Sequence, residues 1–274
     1  MIHEQVEMFN LLMNAIWDSE NYYVVHVDAS SSIGLFDQVE IIVKSLPNVH
    51  LLESKRIVWA GYSIVDCELR AIMFLLKLAD DWKYFINLSG RDFPLKSQHS
   101  IKEFLRAENK NFMHYCDIKS EWEGALDRVE DFHVEKNGAL NSCKEVPAEI
   151  KKSRDQFYND NTAYGGSQWF ILSYDICKFI NNPKNNESVI DIYRNTFASD
   201  EGFFQTLLIN SEFKTKITNN NMRYLIFPEK SGGHPKILAN DDYQQILQSK
   251  ALFARKFDIN NSRSLISNII KRLH

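Results

Sequence analysis

The strongest constraint on the fold is an alternation of helix-like and strand-like apolar segments in the first third of the sequence. Apolar residues recur at helical spacing in 6–16, 35–46 and 65–78. Between them lie short apolar runs typical of strands, at 22–27, 49–52, 57–60 and 84–88. Such alternation predicts an α/β fold with a mostly parallel central sheet flanked by helices, and ligands at the carboxyl ends of the strands.

The remainder of the chain is less regular. Strands are predicted at 111–115, 165–172 and 222–227, helices at 200–209 and 241–247, and a compact terminal motif at 252–258. The polar segment 117–154 predicts an irregular insertion, either a functional lid or acceptor-binding loop or a flexible insertion. Because no stretch has the composition of a linker, we expect one domain over residues 1–274.

Composition and charge exclude several classes of protein. Lys and Arg number 32 against 36 Asp and Glu, so the net charge of −4 provides no general attraction to nucleic acid. The four cysteines have no metal-type spacing, and no apolar stretch is long enough for a membrane span. The N-terminus also lacks the pattern of a secretion signal. We therefore expect a cytoplasmic protein, with at most peripheral association at the inner face of the membrane.

The C-terminal segment leaves two interpretations open. Apolar residues at 265, 266, 269, 270 and 273 lie beside Lys271 and Arg272, as in a helix that binds a membrane surface. The same pattern is typical of a helix that docks on the core of its own protein.

Common enzymatic motifs are missing from the sequence. Neither GxGxxG nor GxxxxGK[ST] occurs, HExxH is absent, and the eight histidines are scattered. The segment 61–65 begins like a nucleophile elbow but lacks its second glycine. These absences argue against phosphate-binding glycine loops, a dedicated zinc site and a serine hydrolase.

Carboxylates at two places in the sequence lie where a ligand could meet them. Asp28 closes the predicted strand 22–27, where it could accept hydrogen bonds from a ribose or a base, or make a turn. Asp200 and Glu201 follow Ser199 at a predicted helix start, where the helix dipole alone would explain two acids. Beside an aromatic cleft, Glu201 could instead act as general base toward a sugar hydroxyl.

Two adjacent cations lie between phenylalanines near the C-terminus, in Phe253-Ala254-Arg255-Lys256-Phe257-Asp258. Strand alternation sends neighbouring side chains to opposite faces, so one cation is expected to point into the fold. With no DxD motif in the chain, Lys256 and a second cation could neutralise a diphosphate without a metal ion. The alternative is a structural role, as an internal salt bridge to Asp258 or a lock on the C-terminus.

Six segments in order resemble the family of core-2/I-branching β-1,6-N-acetylglucosaminyltransferases and peptide O-xylosyltransferases (glycosyltransferase family 14-like). The resemblance covers nearly the whole chain. The segments are His26-Val27-Asp28, Trp59-Ala60-Gly61-Tyr62-Ser63, the run 82–96 with Asn87-Leu88-Ser89-Gly90-Arg91-Asp92-Phe93-Pro94, Gly166-Ser167-Gln168-Trp169-Phe170, Ser199-Asp200-Glu201 and the run 252–258.

The resemblance implies a GT-A type fold and an inverting, metal-independent transfer of N-acetylglucosamine, xylose or a similar sugar from a UDP-sugar to a glycan or lipid-linked saccharide. No cofactor is expected. By position, Glu201 is the catalytic base, Asp28 contacts uridine and Lys256 binds the diphosphate. Lys236 is the second cation, with Arg255 as the alternative. The substrate-binding residues implied are Trp169, Glu121, Ser89 and Asp200.

The chain also departs from the animal members of the family, which carry a membrane anchor, a stem and disulfides. Abundant Asn, Ile and Lys are typical of a low-GC, bacterial genome, so a role in surface polysaccharide synthesis is expected. The family's first strand would be shortened to 1–3 at most, or the native N-terminus would be longer. The alternative function is an inactive scaffold that binds a nucleotide sugar or glycan.

Overall fold

The computed structural model describes residues 1–143, 145–229 and 232–273. Within them, the α-helices are α1 Val6–Ile16, α2 Leu35–Lys44, α3 Tyr62–Leu78, α4 Gln98–Glu108, α5 Ile118–Glu121, α6 Asp127–Glu130, α7 Ala148–Asp160, α8 Tyr174–Ile180, α9 Pro183–Tyr193, α10 Phe203–Ile209, α11 Tyr243–Gln248 and α12 Ile259–Leu273. The strands are β1 Tyr23–Val25, β2 Val49–Leu51, β3 Tyr84–Ile86, β4 Asp92–Pro94, β5 Asn111–Asp117, β6 His133–Lys136, β7 Ala139–Ser142, β8 Tyr164–Ser173, β9 Ile217–Thr218, β10 Arg223–Tyr224 and β11 Phe253–Arg255.

The chain divides into two compact units. The first combines Met1–Ser54, Leu88–Asn109 and Met222–His274, and the second combines Lys55–Asn87 and Lys110–Asn221. Each unit is therefore assembled from segments distant in sequence. A single functional domain over residues 1–274 stays a prediction.

The first unit contains short sheets built from strands of its three segments. Strands β1 and β2 pair in parallel, and β11 lies between β10, which is parallel to it, and β4, which is antiparallel. Ile2 forms a parallel bridge with Val27, while the amino group of Met1 donates to the carbonyl of Leu88. The first two residues thus occupy a strand position in this unit.

Helices α1 and α12 supply much of the apolar packing of the first unit. α1 buries Met8, Phe9, Leu12, Met13 and Ile16, as its helical spacing predicts. The apolar stripe of α12 is buried too, since Leu265, Ile266 and Ile269 are each at most 3% exposed. Of the two interpretations of the C-terminal segment, docking on the protein's own core is the one observed.

Arg91 connects two of the sequence motifs in the first unit. Its Nε donates to the carbonyl of Phe257 at 2.8 Å, and its Nη2 binds Asp258 Oδ2 at 2.9 Å. Nη1 binds Glu4 at 2.8 Å. All three nitrogens of the guanidinium therefore form hydrogen bonds, and Arg91 joins the segment after Leu88 to the C-terminal motif.

The second unit is built on a four-stranded sheet in the order β3-β8-β5-β9. Its long strand β8 is central, and Trp169, Phe170, Ile171 and Leu172 within it are all buried. Strand β5 shifts register between Met113 and Tyr115, opposite the glycines at the start of β8. A Cβ on Gly166 would overlap the carbonyl of His114, so the glycine permits this close approach.

The class of the fold is confirmed as α/β, but its sheets are mixed. In the four-stranded sheet β8 is antiparallel to both neighbours, and only β5 and β9 are parallel. A mostly parallel central sheet is therefore not confirmed. The apolar segments of the first third alternate as predicted, but β3 and β8 pair across a large separation in sequence, which periodicity does not reveal.

Some segments differ locally from their predictions. The run 57–60 is a turn, in which the carbonyl of Val58 accepts from the amide of Gly61 and Ala60 has a positive φ of 61°. The segment 117–154 contains α5, α6, the hairpin β6–β7 and the start of α7, so it is more regular than expected. Its role on the acceptor side stays a prediction. Among the helices described, none is long and apolar enough to cross a membrane.

Candidate functional site

The cations of the C-terminal motif meet the His-Pro-Lys segment in the first unit. Lys256 follows strand β11, and its carbonyl accepts from the amide of Leu238 at 2.8 Å. Its amide donates to the carbonyl of Lys236 at 3.4 Å. These two bonds hold the backbones of Lys236 and Lys256 side by side, so the structure brings the two predicted diphosphate-binding lysines together.

Lys256 lies in a cationic environment. Its pKa is lowered, first by burial and then by the positive charges of Arg91 and Arg255. Among the residues that the structure describes, no carboxylate forms an ion pair with it. The alternative salt bridge to Asp258 is not formed, because that carboxylate binds Arg91. Such an ammonium group favours a bound anion.

The two candidates for a second cation differ in their surroundings. Lys236 Nζ binds Asp242 Oδ1 at 2.6 Å, and this carboxylate is buried. The positive charge of Lys236 is therefore already balanced by Asp242. Arg255 is half-buried near Arg223, and burial together with the positive charge of Arg255 lowers the pKa of Arg223 to about 10. Arg255 therefore contributes positive potential at Lys256, whereas the charge of Lys236 is balanced by Asp242.

The other predicted residues of the first unit lie in turns. Asp28 Oδ1 accepts from the amide and the hydroxyl of Ser30, both at 2.8 Å, which is the turn-forming alternative considered for it. Ser89 donates from its amide and its hydroxyl to the buried Asp92. That Asp28 contacts uridine and that Ser89 contacts the substrate both remain predictions.

In the second unit, Glu201 ends a 3₁₀ turn, Ser199–Glu201, that precedes α10. The predicted single helix 200–209 is interrupted at Gly202, where a Cβ would press on the ring of Tyr193. The Glu201 carboxylate is partly exposed and forms a salt bridge with Arg128. Asp200 beside it is buried. The structure therefore presents Glu201, rather than Asp200, to solvent.

An aromatic frame surrounds this ion pair. The Arg128 guanidinium carbon lies 4.3 Å from the centre of the Trp122 ring and 5.9 Å from that of Phe197. Phe197 also contacts Trp59 edge to face, with ring centres 5.9 Å apart. Because Trp59 is 72% exposed, its ring offers an apolar face of the kind that stacks on sugars or bases.

A buried polar network in the second unit was not predicted from the sequence. Glu68 is 3% exposed, and its Oε1 accepts from Asn87 Nδ2 at 2.8 Å. Asn87 also donates to the carbonyl of Gln168 and accepts from the amide of Phe170. Burial, together with the negative charge of Asp200, raises the pKa of Glu68 to about 8. In the sequence Glu68 is one of four charged residues of α3, so nothing local marked it as the buried one.

Trp169 and Glu121 belong to the second unit but have different environments. Trp169 is 5% exposed within β8, so little of its ring is accessible to a sugar. Glu121 is exposed at the end of α5 and accepts from the amide of Asp117, which itself caps that helix. Contact of either residue with substrate stays a prediction.

Across the described ranges, no group of three or more His, Cys, Asp or Glu side chains is arranged to hold a metal ion.

Comparison with known proteins gives a consistent result. Residues 1–248 match the family described as "Core-2/I-Branching enzyme". A xylosyltransferase of Ciona intestinalis is 26% identical and covers 98% of this chain. A human beta-1,3-galactosyl-O-glycosyl-glycoprotein beta-1,6-N-acetylglucosaminyltransferase 3 is 29% identical over 76% of it, and a beta-glucuronosyltransferase of Arabidopsis thaliana is 29% identical over 89%.

The match covers a smaller share of these relatives. The aligned part amounts to 33% of the Ciona protein, 45% of the human protein and 56% of the Arabidopsis protein.

Proposed function

Because this chain belongs to the Core-2/I-Branching enzyme family, we propose that it transfers a sugar from a nucleotide-sugar donor to a hydroxyl of a glycan acceptor. Relatives named for xylosyl, N-acetylglucosaminyl and glucuronosyl transfer support this class of reaction. The proposed donor is a UDP-sugar carrying N-acetylglucosamine, xylose or a similar sugar. The proposed acceptor is a glycan or a lipid-linked saccharide of bacterial surface polysaccharide synthesis, and the proposed fold is of the GT-A type.

The observation that supports the proposal most is the environment of Lys256. An ammonium group held among Arg91 and Arg255, with no ion-pair partner among the described side chains, suits a diphosphate. In the proposed reaction Lys256 neutralises the charge that develops on the departing UDP, and Lys236 or Arg255 assists. These cations would take the place of a metal ion at the leaving group.

Two features of Glu201 support its proposed role as the base. Its carboxylate is accessible and lies beside an aromatic frame. We assign to it removal of the proton from the acceptor hydroxyl, whose oxygen attacks the anomeric carbon from the face opposite UDP and inverts the configuration. The salt bridge to Arg128 must loosen or rotate as the proton is taken. A positioned base of this kind accelerates transfer by roughly 10² to 10⁴.

The first experiment measures UDP release from a panel of UDP-sugars, with and without saccharide acceptors. Glu201→Gln keeps the shape of the side chain but cannot take a proton, so we expect transfer to fall at least about 100-fold while UDP binding is retained. Glu212→Gln, an exposed acid in the same unit, is the matched control. Equal turnover by the Glu201→Gln variant would remove Glu201 from this role.

The second experiment tests the cation site by thermal shift with UDP and UDP-sugars, with and without Mn²⁺. We expect Lys256→Met to abolish the shift caused by UDP, and Lys250→Met, at an exposed lysine, to preserve it. EDTA should leave transfer unchanged, and a strong loss on chelation would contradict the metal-free mechanism. Binding of UDP-sugars with no turnover for any acceptor would instead favour an inactive nucleotide-sugar-binding scaffold.

A further inference from the structure

The hairpin β6–β7 lies next to the aromatic frame of Glu201 within the second unit. The amide of His133, its first residue, donates to the carbonyl of Asn195 at 2.9 Å. The His133 ring centre is 5.5 Å from that of Phe197, the residue that also contacts Arg128 and Trp59. Most of the hairpin is exposed or partly exposed, so its position depends on a few contacts.

One of these contacts is a carboxylate at a helix start. Glu135 Oε1 accepts from the backbone amide of Ser63, in the first turn of α3, at 2.7 Å. The N-cap residue of α3 is Gly61, which has no side chain to cap the helix. Glu135 therefore supplies from the hairpin the negative charge and acceptor that a helix N-terminus favours.

Gly61 is also required for this contact. A Cβ at position 61 would overlap the Glu135 carboxylate, so the absence of a side chain creates the space that the carboxylate occupies. The interaction can thus be broken from either side, at Glu135 or at Gly61. This provides two independent variants that test the same contact.

The residues around the start of α3, which Glu135 contacts, are also connected by hydrogen bonds to the turn that contains Glu201. The carbonyl of Ala60 accepts from the amide of Ala198 at 2.7 Å, and the carbonyl of Ala198 accepts from the amide of Glu201 at 2.9 Å. The residues just before α3 are thus linked by hydrogen bonds, through Ala198, to the turn of Glu201.

We propose that the hairpin β6–β7 is a movable cover for the Glu201 site, held closed by the Glu135 carboxylate on the first turn of α3. In the closed arrangement the Glu201 carboxylate is still partly exposed, so closure narrows the access of water without excluding it, and opening admits the acceptor. The effect on the reaction rests on the proposed transferase function, whereas the contact itself does not.

Hydrogen exchange of the backbone amides of 134–142 tests the contact without any substrate. We expect Glu135→Ala and Gly61→Ala each to increase exchange of this segment by roughly tenfold or more, because a charge-assisted hydrogen bond is lost. Glu149→Gln, an exposed acid at the start of α7, is the control and should leave exchange unchanged. Unchanged exchange in both Glu135→Ala and Gly61→Ala overturns the proposal. So does an equal increase throughout the second unit, which would mean general destabilisation.

A second measurement tests the cover in the reaction. When water replaces the acceptor, its oxygen attacks the anomeric carbon, Glu201 takes its proton and UDP leaves. We expect Glu135→Ala to raise the ratio of this hydrolysis to transfer about threefold or more, and Glu135→Gln to have a smaller effect. An unchanged ratio with a released hairpin shows that the hairpin does not cover the site. Absence of UDP release by the wild-type protein would count against the transferase function and leave the exchange result intact.

Discussion

Replacement of Glu68 by glutamine should stabilise the protein increasingly as the pH rises. Burial raises the pKa of this carboxyl from 4.5 to about 8, so it is protonated in the folded chain at neutral pH and ionised in the unfolded chain. The native state therefore loses stability as the pH rises from about 4.5 to about 8. The loss is about 1.4 kcal/mol per pH unit, or about 3 kcal/mol by pH 7.

Glutamine removes this titration and keeps an acceptor for Asn87 Nδ2. We expect Glu68→Gln to be similar to the wild type near pH 4.5 and about 3 kcal/mol more stable at pH 7, with a larger difference at pH 8. Urea unfolding followed by circular dichroism at pH 5, 7 and 8 measures the difference. Glu187→Gln, at an exposed position of α9, should show none of it. A difference that is constant with pH would refute this account of Glu68.

Two further substitutions test the packing of each unit. Arg91→Met should cost about 3 kcal/mol in urea unfolding because it leaves the carboxylate of Asp258 buried without its cation, and a loss below about 1 kcal/mol would contradict this. Gly166→Ala should lower the thermal midpoint clearly because its Cβ would overlap the carbonyl of His114. Gly124→Ala, where a Cβ meets no atom within 4 Å, is the control, and equal midpoints for the two variants would show that β5 can move away.

The elements that the sequence predicted well are those whose signal is local. The helical spacing of apolar residues gave α1 and α3 to within a few residues, and the glycine-led apolar run gave β8. Their boundaries and burial depend mostly on neighbours within the same segment. The pairing of β8 with β3 and β5 was not predictable, because hydrogen bonds between strands leave no local periodicity.

The same distinction applies to the candidate site. The position of Glu201 after Ser199 was evident, but its salt bridge with Arg128 joins residues 73 positions apart. The network of Glu68 and Asn87 likewise depends on the meeting of α3 with the end of β3. A buried acid and its partner cannot be paired from sequence alone, since each also occurs in exposed helices and turns.

The C-terminal motif shows how structure separates residues that the sequence presents as one group. Phe253 and Phe257 are buried, and Asp258 is held by Arg91, so these three residues have roles in the folded core. Lys256 is the residue of the motif that these contacts do not explain. It lies among cations, its pKa is lowered, and no described carboxylate forms an ion pair with it. A partly buried ammonium group beside other cations is stabilised when an anion binds there. The motif therefore supports function at Lys256 specifically, since the core already accounts for the phenylalanines and Asp258.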